Sequence, residues 1–512
     1  MRDLAYLKLL SREYPNIRAA ASDIINLQAI CGLPKGTEYF FSDLHGEHEA
    51  FIYLLRSSSG IIREKIRETF GHIISEEDEV RLANLIYYPE KMINQIKQAN
   101  EYTEDWQKTA VYRLVQICRE VSSKYTRSKV RKKMPKEFSG VIDELLYVDN
   151  TDDNKTEYYS ELINTLIDVR VADSFIVVIC SLIRSLTIDN LHILGDIFDR
   201  GPRPDIILEE LMHFHDVDIQ WGNHDISWMG AATGNRACIC NVLRMALGYN
   251  GFDVLEDGYG INLRPLSMFA ERVYRDDPCT CFLPQILDKN IYDAVDPKLA
   301  AKMHKAIAVL QYKEEGQIIK RHPEYGMEER ILLSAIRYDR GTVTIDGKEY
   351  PMRDMNFPTV DPADPLRLTD EEEELLHTLE LSFRHNARLH EHVRFLYSNG
   401  SMYKCCNSNL LYHGCIPMTE NREFDGLMVG GKMYRGKELM DFIDTQVKNA
   451  YFLPEDAPEK EACRDFMWYL WNGAKSPVFG KDKNRSFEHY FIEDPEVMRE
   501  TMNPYYQLSE EE

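Results

Sequence analysis

The chain has 512 residues, 61 lysines and arginines against 84 aspartates and glutamates, and a formal net charge of −23. That acidic balance argues against a general nucleic-acid or membrane-surface binder, and no apolar run approaches the roughly 18 residues of a membrane span. Hydrophobic residues make up 44%, enough for a core, and eleven cysteines behind a charged N-terminus with no apolar signal segment indicate reduced thiols in the cytosol.

In chain order, residues 1 to about 30 read as amphipathic helix. Thr37 to Phe41 reads as a strand that breaks into SDLHGEH, with Asp43 and His45 at its tip. Helical spacing returns from Glu49 to Arg56. Residues 57 to about 170 carry helical periodicity with few breakers and read as a helical insertion. Inside it lies the basic stretch Lys124 to Lys133, either a solvated helix face or a patch that attracts a phosphorylated substrate. Lys129 and Arg131 in this stretch, with Arg203 beyond it, are candidate sugar-phosphate contacts. Asp149 to Lys155 reads as a polar break. Val171 to Leu186 reads as a buried helix, and Leu191 to Leu194 as the second strand.

That strand opens LHILGDIFDRGP, where glycine and acid follow an apolar run directly. Such an exit delivers carboxylates to the carboxyl end of a strand, where α/β sheets bind ligands. Pro204 to Phe214 has helical spacing. Val217 to Trp221 is a third strand, ending in Gly222-Asn223-His224-Asp225, with a helix around Ser227 to Gly248. Residues 255 to about 400 read as a mixed insertion. It holds a hairpin turning at Asp346-Gly347 and a helix capped by Thr369 with Glu372. The acid run Glu371 to Glu374 is the exposed first turn of that helix, favoured by its dipole. Asn409 to Tyr412 is a fourth strand, ending in His413-Gly414-Cys415. Gly436 to Tyr451 and Glu461 to Trp471 read as helices. With no internal repeat, the expectation is one α/β domain with two large insertions.

Four loops thus supply Asp43 and His45, then Asp196, Asp199 and Arg200, then Asn223 and His224, then His413. Carboxylate, imidazole and amide oxygen suit hard and borderline divalent cations. Asp196 has two oxygens with which to bridge two ions about 3.5–4 Å apart, an arrangement suited to in-line hydrolysis of a phosphate ester. Arg200 suits the phosphoryl oxygens. His224 is placed to protonate the leaving alkoxide or to orient the substrate, with Asp199 holding its ring. His192, inside a strand, reads as a satisfied core histidine, and His48 as a helix start. Cys415 reads as a small packed residue, and the other cysteine pairs lack zinc-finger spacing.

The motifs SDLHGE, GDIFDRG, WGNHD and LYHGCIP resemble those of calcineurin-like metallophosphoesterases. The wider stretches YFFSDLHGEHEAF, LHILGDIFDRGPRPD, QWGNHDISWMGAA and LLYHGCIPM, with SPVFGKDK near the end, resemble class III fructose-1,6-bisphosphatases of bacteria over essentially the whole chain. The resemblance implies a metallophosphatase β-sandwich flanked by helices. It implies one metal held by Asp43, His45 and Asp196, and a second held by Asp196, Asn223 and His413, with manganese as the metal. It also implies a His224–Asp199 acid dyad, with Arg200 as phosphate ligand. The implied reaction converts fructose 1,6-bisphosphate to fructose 6-phosphate in gluconeogenesis, in the cytoplasm.

One departure stands out. The family continues to a strand bearing an N-G-H-x-P motif whose histidine completes the second metal. After His413 the only histidine here is His489, in FEHYFIED, which lacks that context. The chain reads as C-terminally shortened, and weak or absent activity with a destabilised fold is the expectation. Two alternatives stay open: a metallophosphoesterase for another substrate, and an inactive truncated paralogue that binds sugar phosphate.

Overall fold

The computed structural model describes residues 2–147, 153–285 and 295–511. The chain divides into two compact units, Met1–Tyr39 with Tyr53–Leu191, and Phe40–Ile52 with His192–Glu512. The architecture is mixed α/β, mostly helical, with small sheets.

The first unit is built from helices. The expected N-terminal helix is two, Arg2–Glu13 and Ile17–Ile30, because Pro15 interrupts the ladder and Asn16 caps the second by accepting from Ala19 N at 3.0 Å. Between Ile61 and Thr187 three helices start at side-chain caps: Ser75, Thr103 and Thr126 each accept a backbone N–H. Their apolar stripes meet in one buried cluster that includes Ile66, Val111, Leu114, Ile142, Phe175 and Ile179. Of the expected polar break at Asp149 to Lys155, residues 149–152 lie outside the described residues, and Asp153 opens a helix.

The basic stretch is only partly solvated. Lys129 Nζ lies 2.8 Å and Lys133 Nζ 3.5 Å from Asp189, while Lys124 Nζ donates to Thr37 Oγ1 at 2.7 Å. Asp189 immediately precedes a strand, so these ammonium groups are engaged at its start. Arg131 is held bidentately by Asp143, and Arg203 by Asp205.

The strands, in chain order, are β1 (Glu38–Phe41), β2 (Asn190–Ile193), β3 (Val217–Gln220), β4 (Ile336–Arg337), β5 (Thr342–Ile345), β6 (Lys348–Pro351), β7 (Gly400–Ser401), β8 (Tyr403–Cys406), β9 (Asn409–Tyr412), β10 (Gly426–Val429) and β11 (Lys432–Arg435). A four-stranded sheet has the order β1-β2-β3-β7, with β3 and β7 parallel. The ends of β1 and β2 that lead into the motif loops belong to the second unit, as do β3 and β7. β9 forms where expected but pairs antiparallel with β8 in a hairpin of its own. The place next to β3 goes to β7, only two residues long and too short to show in periodicity. β5 and β6 form the expected hairpin, with β4 as a third strand.

In the second unit the expected Ser227 to Gly248 helix is broken. Asn223–Thr233 ends at Gly234, whose φ of 94° stops it in a left-handed cap, and Asn235 caps Arg236–Gly248. The Thr369–Glu372 capping box forms as expected. His192 is fully buried, with Nδ1 2.8 Å from Asp218 Oδ2. Cys415 is buried, and no disulfide forms among the described residues. No described helix is long and apolar enough to cross a membrane.

The 25-residue helix Pro297–Arg321 carries two lysines with no solvent exposure, Lys305 and Lys313. Lys313 Nζ donates to Glu372 at 2.7 Å and to the carbonyls of Thr359 and Arg367 at 2.8 and 3.0 Å. Burial pushes the Lys313 ammonium down, and Glu372 opposes that shift. Removing one member of a buried pair leaves the other charged and dry. Lys313→Ala should therefore cost about 3–5 kcal/mol in urea or thermal unfolding. A variant within about 0.5 kcal/mol of the parent would show that Glu372 is relieved by other means.

Candidate metal centre

Two of the four motif loops meet through their backbones. Asp43 N donates to Gly195 O at 3.2 Å, His45 N to Asp196 O at 2.8 Å, and Gly46 N to Ile197 O at 2.9 Å. Gly201 N returns a bond to His45 O at 2.7 Å. The contact is so close that a β-carbon on Gly201 would lie 2.2 Å from His45 O. One on Gly222 would lie 2.0 Å from Asp196 Oδ1, and one on Gly195 would lie 2.7 Å from both Gly222 N and His413 Nδ1. Only glycine fits there, and this explains the G-D and G-N-H spacing. His413 is flanked by Gly414, where a β-carbon would meet Pro477 O at 2.2 Å, and Cys415 N donates to that same oxygen. The SPVFGKD loop is thereby fixed to the His413 turn.

Five of the candidate residues are strained. Asp43, His45, Asp196, Asp199 and Arg200 all have positive φ, between 43° and 82°. Non-glycine residues hold such angles at a cost of order 1–3 kcal/mol each and collect at functional sites.

These loops converge on Asp196. Its carboxylate belongs to two groups of metal-type donors, His45–Asp196–His224 and Asp43–Asp196–His413, with the donor atoms of each within 4.8 Å of one another. Around that carboxylate His45 lies with His224, and Asp43 with His413. Asn223 is the first residue of its helix, immediately before His224, whose backbone N–H donates to Asp196 Oδ1 at 3.2 Å. His413 Nδ1 donates to Leu194 O at 2.7 Å, which leaves Nε2, 3.5 Å from Asp196 Oδ2, as the nitrogen with a lone pair to offer a cation. His45 Nδ1 lies 3.3 Å from Phe198 O, and its Nε2 faces Asp43 at 3.8 Å. Burial keeps the His45 ring below its ordinary pKa, ready to offer a neutral nitrogen. The donor set fits divalent cations.

Beside this cluster His224 Nδ1 lies 2.9 Å from Asp199 Oδ2. Burial would lower the imidazole and raise the carboxyl. Their mutual attraction outweighs it, so His224 titrates above its usual range and Asp199 below. Trp471 packs edge-on against the His224 ring at 4.8 Å. The side chain of Arg200 is half exposed at the rim, its guanidinium 5.9 Å from the Tyr249 ring.

Sequence reading missed Asp225. Its carboxylate is fully buried and accepts from the backbone N–H groups of Asp196 (2.9 Å), Ile197 (2.9 Å), Phe198 (3.3 Å) and Gly222 (3.0 Å). Burial, reinforced by Asp196, raises its pKa to about 6. The available signal was an acid at the third position of a helix whose cap, Gly222, has no side chain.

A sequence model described as Firmicute fructose-1,6-bisphosphatase matches residues 5–512. The chain belongs to that family. Proteins named fructose-1,6-bisphosphatase class 3 from Clostridium tetani, Clostridium novyi and Bacteroides fragilis are 51%, 49% and 50% identical to it. Each alignment covers 100% of this chain and 77% of the relative. No solved structure matches significantly.

Asp225→Asn would turn an amide NH₂ toward the N–H donors that hold Asp196. Manganese affinity measured by calorimetry should fall roughly 10–100-fold, as for other groups that orient a ligand. Affinity equal to the parent's would mean that the Asp196 loop does not depend on this carboxylate.

Proposed function

We propose that the chain is a manganese-dependent fructose-1,6-bisphosphatase that hydrolyses the 1-phosphate of fructose 1,6-bisphosphate to give fructose 6-phosphate. The observation that carries this reading is Asp196, one carboxylate common to two clusters of metal-type donors. Family membership supplies the substrate, and gluconeogenesis in the cytoplasm is the matching context. We assign Asp43, His45 and Asp196 to one manganese, and Asp196, Asn223 and His413 to the other. When bound, such ions polarise phosphoryl oxygens and acidify water.

The chain's own groups do the rest. Arg200, with its fork of donors at the rim, holds the phosphoryl oxygens. Asp199 fixes His224 with the proton on Nδ1, so that Nε2 delivers a proton to the departing alkoxide. Trp471 covers one edge of that ring and limits water around it. In fold terms, the β1-β2-β3-β7 sheet forms one layer of a calcineurin-like sandwich. Residues 57–170 and 255–400 are insertions into that single metallophosphatase domain.

Phosphate release from fructose 1,6-bisphosphate by the purified chain with added manganese should fall about 10²–10⁴-fold in His224→Ala. A panel of other sugar phosphates, nucleotides and phosphopeptides should be cleaved more slowly. A chain that binds two manganese ions yet releases no more phosphate than His224→Ala would overturn the assignment. Metal content gives an independent check. The parent should retain two manganese ions after desalting and Asp196→Asn fewer, since the two clusters share that residue.

A further inference from the structure

A cavity of about 290 Å³ lies in the second unit, with Thr233 at the C-terminal end of the Asn223–Thr233 helix in its wall. Its charge is unusual for a chain of net −23. Arg384, Arg394, Lys460 and Arg464 line it, together with two histidines, and Glu455 is the only acid in the lining. Glu455 meets three of the cations at once, Lys460 at 2.9 Å, Arg464 at 2.8 Å and Arg384 at 3.2 Å. Burial would raise its carboxyl, but Lys460 and Arg464 hold it down to about 2. Other acids take up part of the charge, with Glu380 3.2 Å from Arg384 and Glu461 3.7 Å from Arg464.

The rest is unanswered. Arg464 Nε is buried without a hydrogen-bond partner. Arg394 is exposed and forms no ion pair among the described residues. Buried donors are rarely left unsatisfied, and guanidinium forks match phosphate oxygens. None of the lining residues belongs to the metal cluster. Along the helix, Thr233 is roughly 14 Å from His224.

We propose that this cavity binds a small anion carrying two or more phosphate groups, at a place separate from the metal centre. Several guanidinium and ammonium groups facing one space suit a diphosphate better than a single phosphate. A pocket of this sign in an acidic protein also concentrates such anions locally.

The test is calorimetric titration of inorganic pyrophosphate into the full chain, freed of metal by chelation and dialysis. Binding should weaken at least about tenfold in Arg394→Glu, and in the same direction in Arg394→Ala, which removes an exposed cation with no ion pair among the described residues. It should be unchanged in Arg200→Ala, which alters the rim of the metal centre instead. Absence of binding, binding indifferent to Arg394, or binding lost in Arg200→Ala would each overturn the proposal. Catalytic activity enters none of these readings, so the site stands or falls apart from the assigned reaction.

Discussion

One carboxylate outside both donor clusters holds the centre together. Asp225 accepts backbone N–H groups from three successive residues of the Asp196 loop and from Gly222. It thereby ties the turn after β2 to the turn after β3. Without a side-chain acceptor those donors would be buried and orphaned, because the loop is neither strand nor helix. The other two loops attach to this pair. The Asp43 loop bonds to the carbonyls of Gly195, Asp196 and Ile197, and His413 to that of Leu194. Ligand geometry is thus a property of backbone hydrogen bonding, and the side chains inherit it.

The same economy explains the glycines. Gly195, Gly201 and Gly222 sit where a single extra carbon would overlap a neighbouring loop. Close approach of three chains is what brings donors from separate strands within reach of one carboxylate. The His413 tautomer follows from it: Nδ1 donates its proton to a main-chain carbonyl, and Nε2 keeps its lone pair.

Much of the centre was legible in the sequence because its signals are local. Apolar strands that break directly into polar loops mark β1, β2 and β3, and Asp43, His45, Asp196 and His224 of those loops do come together. What was not legible depends on distant partners. β7 is a two-residue strand defined only by its register with Ile219 and Gln220. The closeness of His45 to His224, and of Asp43 to His413, arises from how loops fold over one another. Gly234 broke a helix that periodicity ran through, since the apolar pattern continues on both sides of the break. Asp225 was overlooked because its neighbours His224 and Asn223 carry the more conspicuous chemistry.

The left-handed backbone at Asp43, His45, Asp196, Asp199 and Arg200 sets stability against chemistry. Glycine relaxes such positions and asparagine tolerates them. A library screened for heat resistance alone would therefore accumulate those two residues in these loops. Each gain in melting temperature there would remove a carboxylate, an imidazole or a guanidinium. Thermostable variants of this chain that still work must draw their stability from elsewhere in the fold.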